Sequence, residues 1–173
     1  MNDYGRDLSF FVSERRKQTQ DAFLRRHSEA VLVRKKPILT TDDDDTTTVA
    51  AVRMPSRPPP NLGADGDALV TELRKKEGGV FANRIGVGRT RATDIWLPVP
   101  NVSKYHAYFE RDPASGRYSV TDAGSKNGTV VNGERLAAKI ARMLEDSAII
   151  SFGGCEVRFY SPLGFFHFLS KYG

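Results

Sequence analysis

The chain has 173 residues, 26 Lys and Arg against 21 Asp and Glu, a formal net charge of +5 and a pI near 9.4. That length holds one ordinary domain and a substantial further segment. The basic excess is +1 over residues 1–66 and +4 over 67–173, too modest and too spread out for a dedicated nucleic-acid binder. With Cys155 as the one cysteine there is no disulfide framework and no thiolate set for zinc, and His27, His106 and His167 are scattered, so neither metal nor other cofactor is expected.

The start, "MNDYGRDLSFFVSERRKQ", lacks an apolar run followed by a small-residue cleavage site, and no stretch approaches ~18 apolar residues. These features predict a reduced, cytoplasmic setting without a membrane partner. In chain order, residues 1–66 are expected to be a mostly disordered N-terminal tail and linker. Good helix formers and the N-cap candidate Ser13 predict a short helix near 13–26, its thin apolar face made by Phe10, Phe11, Ala22, Phe23 and Leu24. Residues 34–66, with "TTDDDDTTTV" and "MPSRPPPNLGADGD", have acid runs, threonines and prolines in place of a hydrophobic period, and read as linker.

Over 67–161 the texture changes to short β-rich runs punctuated by Gly, Pro, Asn and Asp. "ALVTEL", "VFANRIGVG", "DIWL", "HAYFE", "RYSVTD", "GTVV", "AIISF" and "CEVRFY" are the expected strands. Such spacing argues for an all-β sandwich with loops gathered at its ends. The final stretch, 162–173, follows a Ser-Pro signal and is expected to be a short helical extension, with Phe165, Phe166, Phe168 and Leu169 packing back on the sandwich.

Two Asn-Gly pairs, Asn127-Gly128 and Asn132-Gly133, lie five positions apart in "DAGSKNGTVVNGERL". Asn-Gly favours the positive φ of a type I′ turn. The second pair sits between "TVV" and "ERL" and fits a tight turn.

Three blocks line up in order: "IGVGRTRATDI" at 85–95, "VPNVSKYHAYF" at 99–109 and "DAGSKNGTVVNG" at 122–133. Together they resemble the forkhead-associated (FHA) domain family, in particular its bacterial phosphothreonine-binding members. The resemblance covers roughly 100 residues and implies an eleven-stranded β-sandwich of FHA/SMAD-like type that binds phosphothreonine peptides through loops at one end.

A phosphothreonine carries up to two negative charges and three acceptor oxygens, so its site needs fixed donors and a guanidinium or ammonium. By resemblance Arg89, after Gly88, is the phosphate clamp, Ser103 bonds a phosphate oxygen, and Lys104 adds charge. His106 holds the serine loop as a framework residue, and Asn127 grips the peptide backbone with its amide. Gly128, Thr129, Asn132 and Gly133 support the loops. Lys126 stands where many members carry threonine or serine, exchanging a hydroxyl for a charge. Arg91 either widens the basic field or is a solvated loop residue.

Catalysis is not expected. "GVGRTR" has Arg91 where a dinucleotide fingerprint needs glycine, no Gly-Lys-Ser/Thr phosphate loop exists, and Ser103 with His106 lacks an orienting acid and an oxyanion hole. Thr46, Thr47 and Thr48 resemble the kinase-target threonines of some bacterial FHA proteins, which makes them candidate phosphorylation sites and the tail a candidate ligand. The expected function is phosphothreonine-dependent recognition of a partner protein in Ser/Thr kinase signalling. The alternative is a phosphate-independent scaffold acting through a sheet face or the N-terminal helix.

Overall fold

A computed structural model describes residues 5–36, 68–79 and 81–172. Its first elements are β1 (Arg6–Asp7), α1 (Leu8–Lys17), α2 (Gln20–Arg26), β2 (Val31–Lys35) and β3 (Ala68–Glu72). Then come β4 (Ile85–Gly88), β5 (Ile95–Trp96), β6 (Ala107–Arg111), β7 (Tyr118–Asp122), β8 (Thr129–Val131) and β9 (Glu134–Arg135). The chain finishes with β10 (Ala141–Met143), β11 (Ile149–Phe152), β12 (Cys155–Tyr160), α3 (Pro162–Leu169) and a 3₁₀ turn at Ser170–Tyr172.

The strands make two sheets, in the orders β1-β3-β2-β12-β11-β8-β9 and β10-β7-β6-β4-β5, antiparallel except for β4 with β5. This is the expected all-β sandwich, with twelve strands among the described residues rather than eleven. Alternation builds its interior: Val87, Phe109, Val120, Ile150, Phe152, Val157 and Phe159 from the two inner faces interlock, each 2% exposed or less. Each such side chain contributes on the order of 2 kcal/mol relative to remaining in water.

The largest departure from expectation lies before residue 36. The helical stretch begins earlier than Ser13 and is split: α1 starts at Leu8 because Leu8 and Phe11 are buried, and it stops at Lys17. Thr19 then caps α2, its hydroxyl accepting from Ala22 N–H at 3.4 Å. β2 is no linker strand. It lies inside the seven-stranded sheet, pairing Val31–Lys35 with β3 and Val31–Val33 with β12.

Its outward residues Val31 and Val33, with Ala68, Val70 and Tyr160, would be a bare apolar face without a cover. Phe11 and Phe23 from the two N-terminal helices and Phe165, Phe168 and Leu169 from α3 supply it, making a third, aromatic layer. The remainder of the expected linker, residues 37–66, lies outside the described residues, as do Thr46, Thr47 and Thr48.

Register settles where that segment is attached. Lys35 pairs with Ala68, and β2 runs antiparallel to β12 with Val33 opposite Arg158, so both anchors lie at the Cys155 end of β12. The Gly153-Gly154 turn occupies this end, and Gly153 N–H donates to the Gly128 carbonyl at 3.1 Å. The loops that follow β4, β5 and β7 meet here.

Candidate functional site

The loop end is built from buried polar groups whose bonding capacity is used. His106, fully buried before β6, is its centre. The Ser103 N–H donates to His106 Nδ1 at 3.0 Å, so that nitrogen is unprotonated, and Nε2 carries the proton and donates to the Gly128 carbonyl at 3.0 Å. One imidazole thus ties the serine loop to the Asn127-Gly128 turn. Burial holds its pKa below the ordinary histidine value, although the Gly128 bond and the Asp122 carboxylate, 3.9 Å away, pull upward. The ring is neutral, and neither nitrogen is free to take a proton from the Ser103 hydroxyl.

Asp122, at the end of β7, organises the next loop. One oxygen accepts from Gly124 N–H at 2.8 Å and Ser125 N–H at 2.9 Å; the other accepts from the Ser125 hydroxyl at 2.7 Å and the Thr129 hydroxyl at 2.6 Å. Burial by itself would raise this carboxyl's pKa, but the hydroxyl and N–H donors outweigh it and hold the value below the usual range. The Ser125 hydroxyl oxygen also accepts from Gly128 N–H at 2.9 Å. Thr129, placed among supporting residues, is fully buried and serves through this carboxylate.

The Arg89 loop is tied just as closely. Arg89 N–H donates to the Ser103 carbonyl at 2.9 Å and its Nε to the Val102 carbonyl at 3.1 Å. That fixes the root of the guanidinium of an exposed residue. Gly88 is pressed on the Lys104 carbonyl, which an added Cβ would meet at 2.1 Å, so glycine is what lets the end of β4 and the Lys104 loop close up. Thr93, buried, has one hydroxyl proton to donate within the loop, with the Thr90 carbonyl at 2.7 Å and the Ile95 carbonyl at 3.0 Å as its acceptors in reach.

Asp94 accepts from Gly86 N–H, Lys76 N–H and Lys75 Nζ at 2.7, 2.7 and 2.8 Å, while Trp96 Nε1 donates to the Arg89 carbonyl at 3.0 Å. The Arg91 guanidinium lies 4.5 Å above the Trp96 ring, so Arg91 packs on the strand next to the clamp loop.

The structure brings Ser103, Lys126 and Asn127 together. Ser103 Oγ accepts from Lys126 N–H at 3.0 Å, which positions the oxygen and leaves its O–H to donate outward. Asn127, exposed, donates from Nδ2 to the Asn101 carbonyl at 2.7 Å; its Oδ1 and second amide hydrogen remain for another molecule. The ammonium groups of Lys104 and Lys126 stand on exposed residues at the same end.

The two Asn-Gly pairs separate by backbone. Asn132 and Gly133 have φ of 50° and 85°, as a type I′ hairpin between β8 and β9 requires, and Asn132 Oδ1 accepts from Ile149 N–H at 2.8 Å. At the first pair only Gly128, with φ of 81°, is in the left-handed region.

Sequence reasoning missed Asp122, Asp94, Asn101 and Trp96. Asp122 had a readable signal, since an aspartate closing an apolar strand before Gly-Ser is an Asx-turn pattern. Asp94 and Asn101 act through backbone groups distant in sequence, which no local pattern discloses. Among the described residues no cluster of three or more His, Cys, Asp or Glu could hold a metal ion, and no helix is long and apolar enough to cross a membrane.

Residues 85–153 match the family model of the FHA domain. The ABC transporter ATP-binding/permease protein Rv1747 of Mycobacterium tuberculosis is 30% identical over 117 residues, which are 62% of this chain; the chain spans 13% of that protein's length. Among solved structures, Mycobacterium tuberculosis EmbR in complex with a low-affinity phosphopeptide aligns at 28% identity and a TM-score of 0.43, over 57% of this chain and 22% of that one. The N-terminal FHA domain of Rad53p from S. cerevisiae, in complex with a phosphothreonine peptide, aligns at 19% identity and a TM-score of 0.45, over 53% of this chain and 83% of that one. An FHA domain is a recognition module rather than an enzyme family. The glycine-arginine turn, the histidine-tied serine loop and the Asn127-Gly128 turn all fall within the residues that match the FHA domain model.

Proposed function

We propose that this protein is a non-catalytic phosphothreonine reader that recruits a phosphorylated partner in cytoplasmic Ser/Thr kinase signalling. The observation that carries the reading is the state of Ser103: its oxygen accepts from Lys126 N–H, so its own proton is not spent in that bond, and its loop is the one to which Arg89 Nε is tied through the Val102 carbonyl. In this reading Arg89 clamps the phosphate through its terminal nitrogens, and Ser103 donates to a phosphate oxygen. Lys104 and Lys126 supply ammonium charge, and the Asn127 amide holds the peptide backbone. Ser103 and His106 do not form a nucleophile and base, because both ring nitrogens of His106 are spent on backbone groups.

Phe11 and Phe23 of the N-terminal helices are buried against the sheet, which counts against their use as a docking face in the scaffold alternative. The test is a peptide panel. A phosphothreonine peptide is expected to bind, and its unphosphorylated and phosphoserine forms to bind weakly or not at all. Arg89→Ala should weaken binding by about 100-fold, the scale for losing charge-assisted bonds to a phosphate. Equal binding of all three peptides, or undiminished binding by Arg89→Ala, refutes the reading.

The chain's own Thr46, Thr47 and Thr48 are the proposed regulatory ligand. Support comes from attachment: Lys35 and Ala68 fix both ends of the intervening segment at the loop end of the sandwich. Thr46 is eleven residues beyond Lys35, a covalent reach of up to ~36 Å. The lateral distance from β2 to β8 is three strand spacings, about 14 Å. Phosphorylation of these threonines by a Ser/Thr kinase would then place a phosphothreonine at high local concentration beside Arg89. Amide shifts of the Arg89 and Asn127 loops are expected to move on stoichiometric phosphorylation; unchanged shifts would remove the intramolecular arm and leave the peptide reader intact.

A further inference from the structure

The helices lie on β1, β3 and β12, which leaves the outer face of the five-stranded sheet without a helical layer. Val87, Ala107, Phe109 and Val120 of that sheet face the core, so their neighbours Gly86, Tyr108, Ser119 and Thr121 face outward. Three rings run across this face. Phe81 and Tyr105 are exposed and Tyr108 is half-buried, with centroids 6.5 Å apart from Phe81 to Tyr105 and again from Tyr105 to Tyr108. The Tyr105 ring rests on the bare α-carbon of Gly86, where an added Cβ would fall 2.6 Å from Tyr105 Cε2.

The Arg84 guanidinium lies 4.3 Å from the Tyr108 ring centroid and 5.4 Å from that of Phe81, and its Nε donates to a Glu110 oxygen at 3.1 Å. Single exposed apolar side chains are ordinary on any surface. Adjoining aromatic rings with an arginine held against two of them have the composition of a protein contact.

The chemistry of the strip selects its occupant. It offers ring faces together with phenol and guanidinium donors, and its one carboxylate, Glu110, is already engaged by Arg84. The complement is a segment of compact apolar side chains that presents carbonyl acceptors and no N–H. A proline run is such a segment, pre-set in the extended form that aromatic surfaces recognise. This chain carries one, Pro58, Pro59 and Pro60 in "SRPPPNL", which lies outside the described residues.

The tether is long enough. Lys75 Nζ and Lys76 N–H, just beyond β3, bond Asp94, which also accepts from Gly86 N–H, so the chain leaving β3 is tied to the strand that seats Tyr105. Pro60 precedes Ala68, the first residue of β3, by eight residues, a reach of up to ~28 Å. One sheet spacing of ~10 Å and one five-residue strand of ~17 Å separate Ala68 from the strip, roughly 20 Å on the diagonal. Four partly exposed side chains fall short of the ~800 Å² per partner that separate molecules bury in a stable interface, whereas a tethered segment needs far less.

We infer that the strip formed by Phe81, Arg84, Tyr105 and Tyr108 is a docking surface for the chain's own proline segment, Pro58 to Pro60. The inference goes beyond the phosphothreonine reading and does not rest on it.

The experiment compares the unphosphorylated full chain with a variant in which Pro58→Ala, Pro59→Ala and Pro60→Ala are combined. Amide shifts of Gly86, Tyr105 and Tyr108 should move in the variant, while those of the helical layer stay in place. A synthetic peptide of residues 55–63 should return the shifts toward wild type and should bind the variant at least about 10-fold more tightly than wild type, whose own segment competes for the strip. Phe81→Ala in the variant should weaken that peptide by about 10-fold, the scale for truncating an aromatic anchor. Phe81 is exposed, and an unchanged melting temperature establishes that the variant folds.

Strip amides that do not move in the proline variant overturn the inference, as does a peptide that binds wild type and variant equally or is indifferent to Phe81→Ala. Wild-type strip shifts that follow protein concentration would assign the face to a second copy of the chain and overturn it too.

Discussion

Two buried histidines mark two regions that are held together by different forces. At the loop end His106 has each ring nitrogen bonded to a backbone group, and beside it Asp122 accepts four hydrogen bonds. In the helical layer His27 lies among aromatic rings, 4.6 Å from Phe23 and 5.3 Å from Phe11. Its Nδ1 is 3.4 Å from a Glu72 oxygen, and its Nε2 has no partner among the described residues. A surface that must aim donors at a phosphate needs directional bonds, and in a dry loop cluster every one of them has to be made. A layer whose task is to cover Val31, Val33, Val70 and Tyr160 needs only area, which aromatic packing supplies without fixed direction.

If that contrast is right, the largest effect comes from emptying the polar hub. His106→Ala orphans the Ser103 N–H and the Gly128 carbonyl and leaves a cavity beside Phe152, whose ring is 5.7 Å from the imidazole. A loss of about 3–4 kcal/mol is expected, together with phosphopeptide binding, as the serine loop and the Asn127 turn come apart. The pH dependence has a definite sign. The folded pKa of His106 lies below its unfolded value, so its contribution is complete above pH ~6.5 and declines as pH falls below that value. Urea unfolding of wild type and variant should therefore converge between pH 7 and pH 5; parallel curves would show that His106 is not held neutral.

Asp122→Asn is a milder break of the same region. One amide oxygen replaces two carboxylate oxygens, and the NH₂ group faces donors, so about 2 kcal/mol should be lost at pH 7. Because the folded carboxyl titrates below its unfolded value of ~3.9, its stabilisation is present above that pH and disappears as pH falls through the lower folded value. The two proteins should have equal stability in sufficiently strong acid, and a gap that persists there would assign the loss to shape rather than charge.

The sandwich was legible because short runs such as "RYSVTD" and "CEVRFY" carry both strand-forming residues and turn residues at their borders, and the three site blocks sit in the loops those borders define. β2 was not. "VLVRK" leads directly into lysine, proline and acid-threonine tracts, and its partner β3 is separated from it by the 32 residues from 36 to 67, so neither a turn signal nor local pairing announced it. The helices were misbounded for a related reason: their limits follow from which of Leu8, Phe11 and Phe23 reach the sheet, a tertiary choice that helix propensity does not contain. At the site, Asn127 and Asn132 are the same dipeptide to a reader of sequence. What separates them is a backbone angle and a neighbour, Asn101 for one and Ile149 for the other.

The smallest expected effect is the sharpest check on the helical layer. Replacing His27 by phenylalanine removes a buried nitrogen that has no partner and the 3.4 Å contact to Glu72, and puts an apolar ring against Phe11 and Phe23. The first change relieves a desolvation cost and the second forfeits a weak bond, so they oppose each other. His27→Phe should alter stability by no more than about 1 kcal/mol, a shift of roughly 2–4 °C in Tm for a chain of this size. Binding of the phosphothreonine peptide should not change, because no bond of His27 reaches the loop end. A loss as large as that of His106→Ala would mean that the helical layer depends on a polar contact after all, and a change in peptide affinity would mean that the two regions are coupled through β2 and β12.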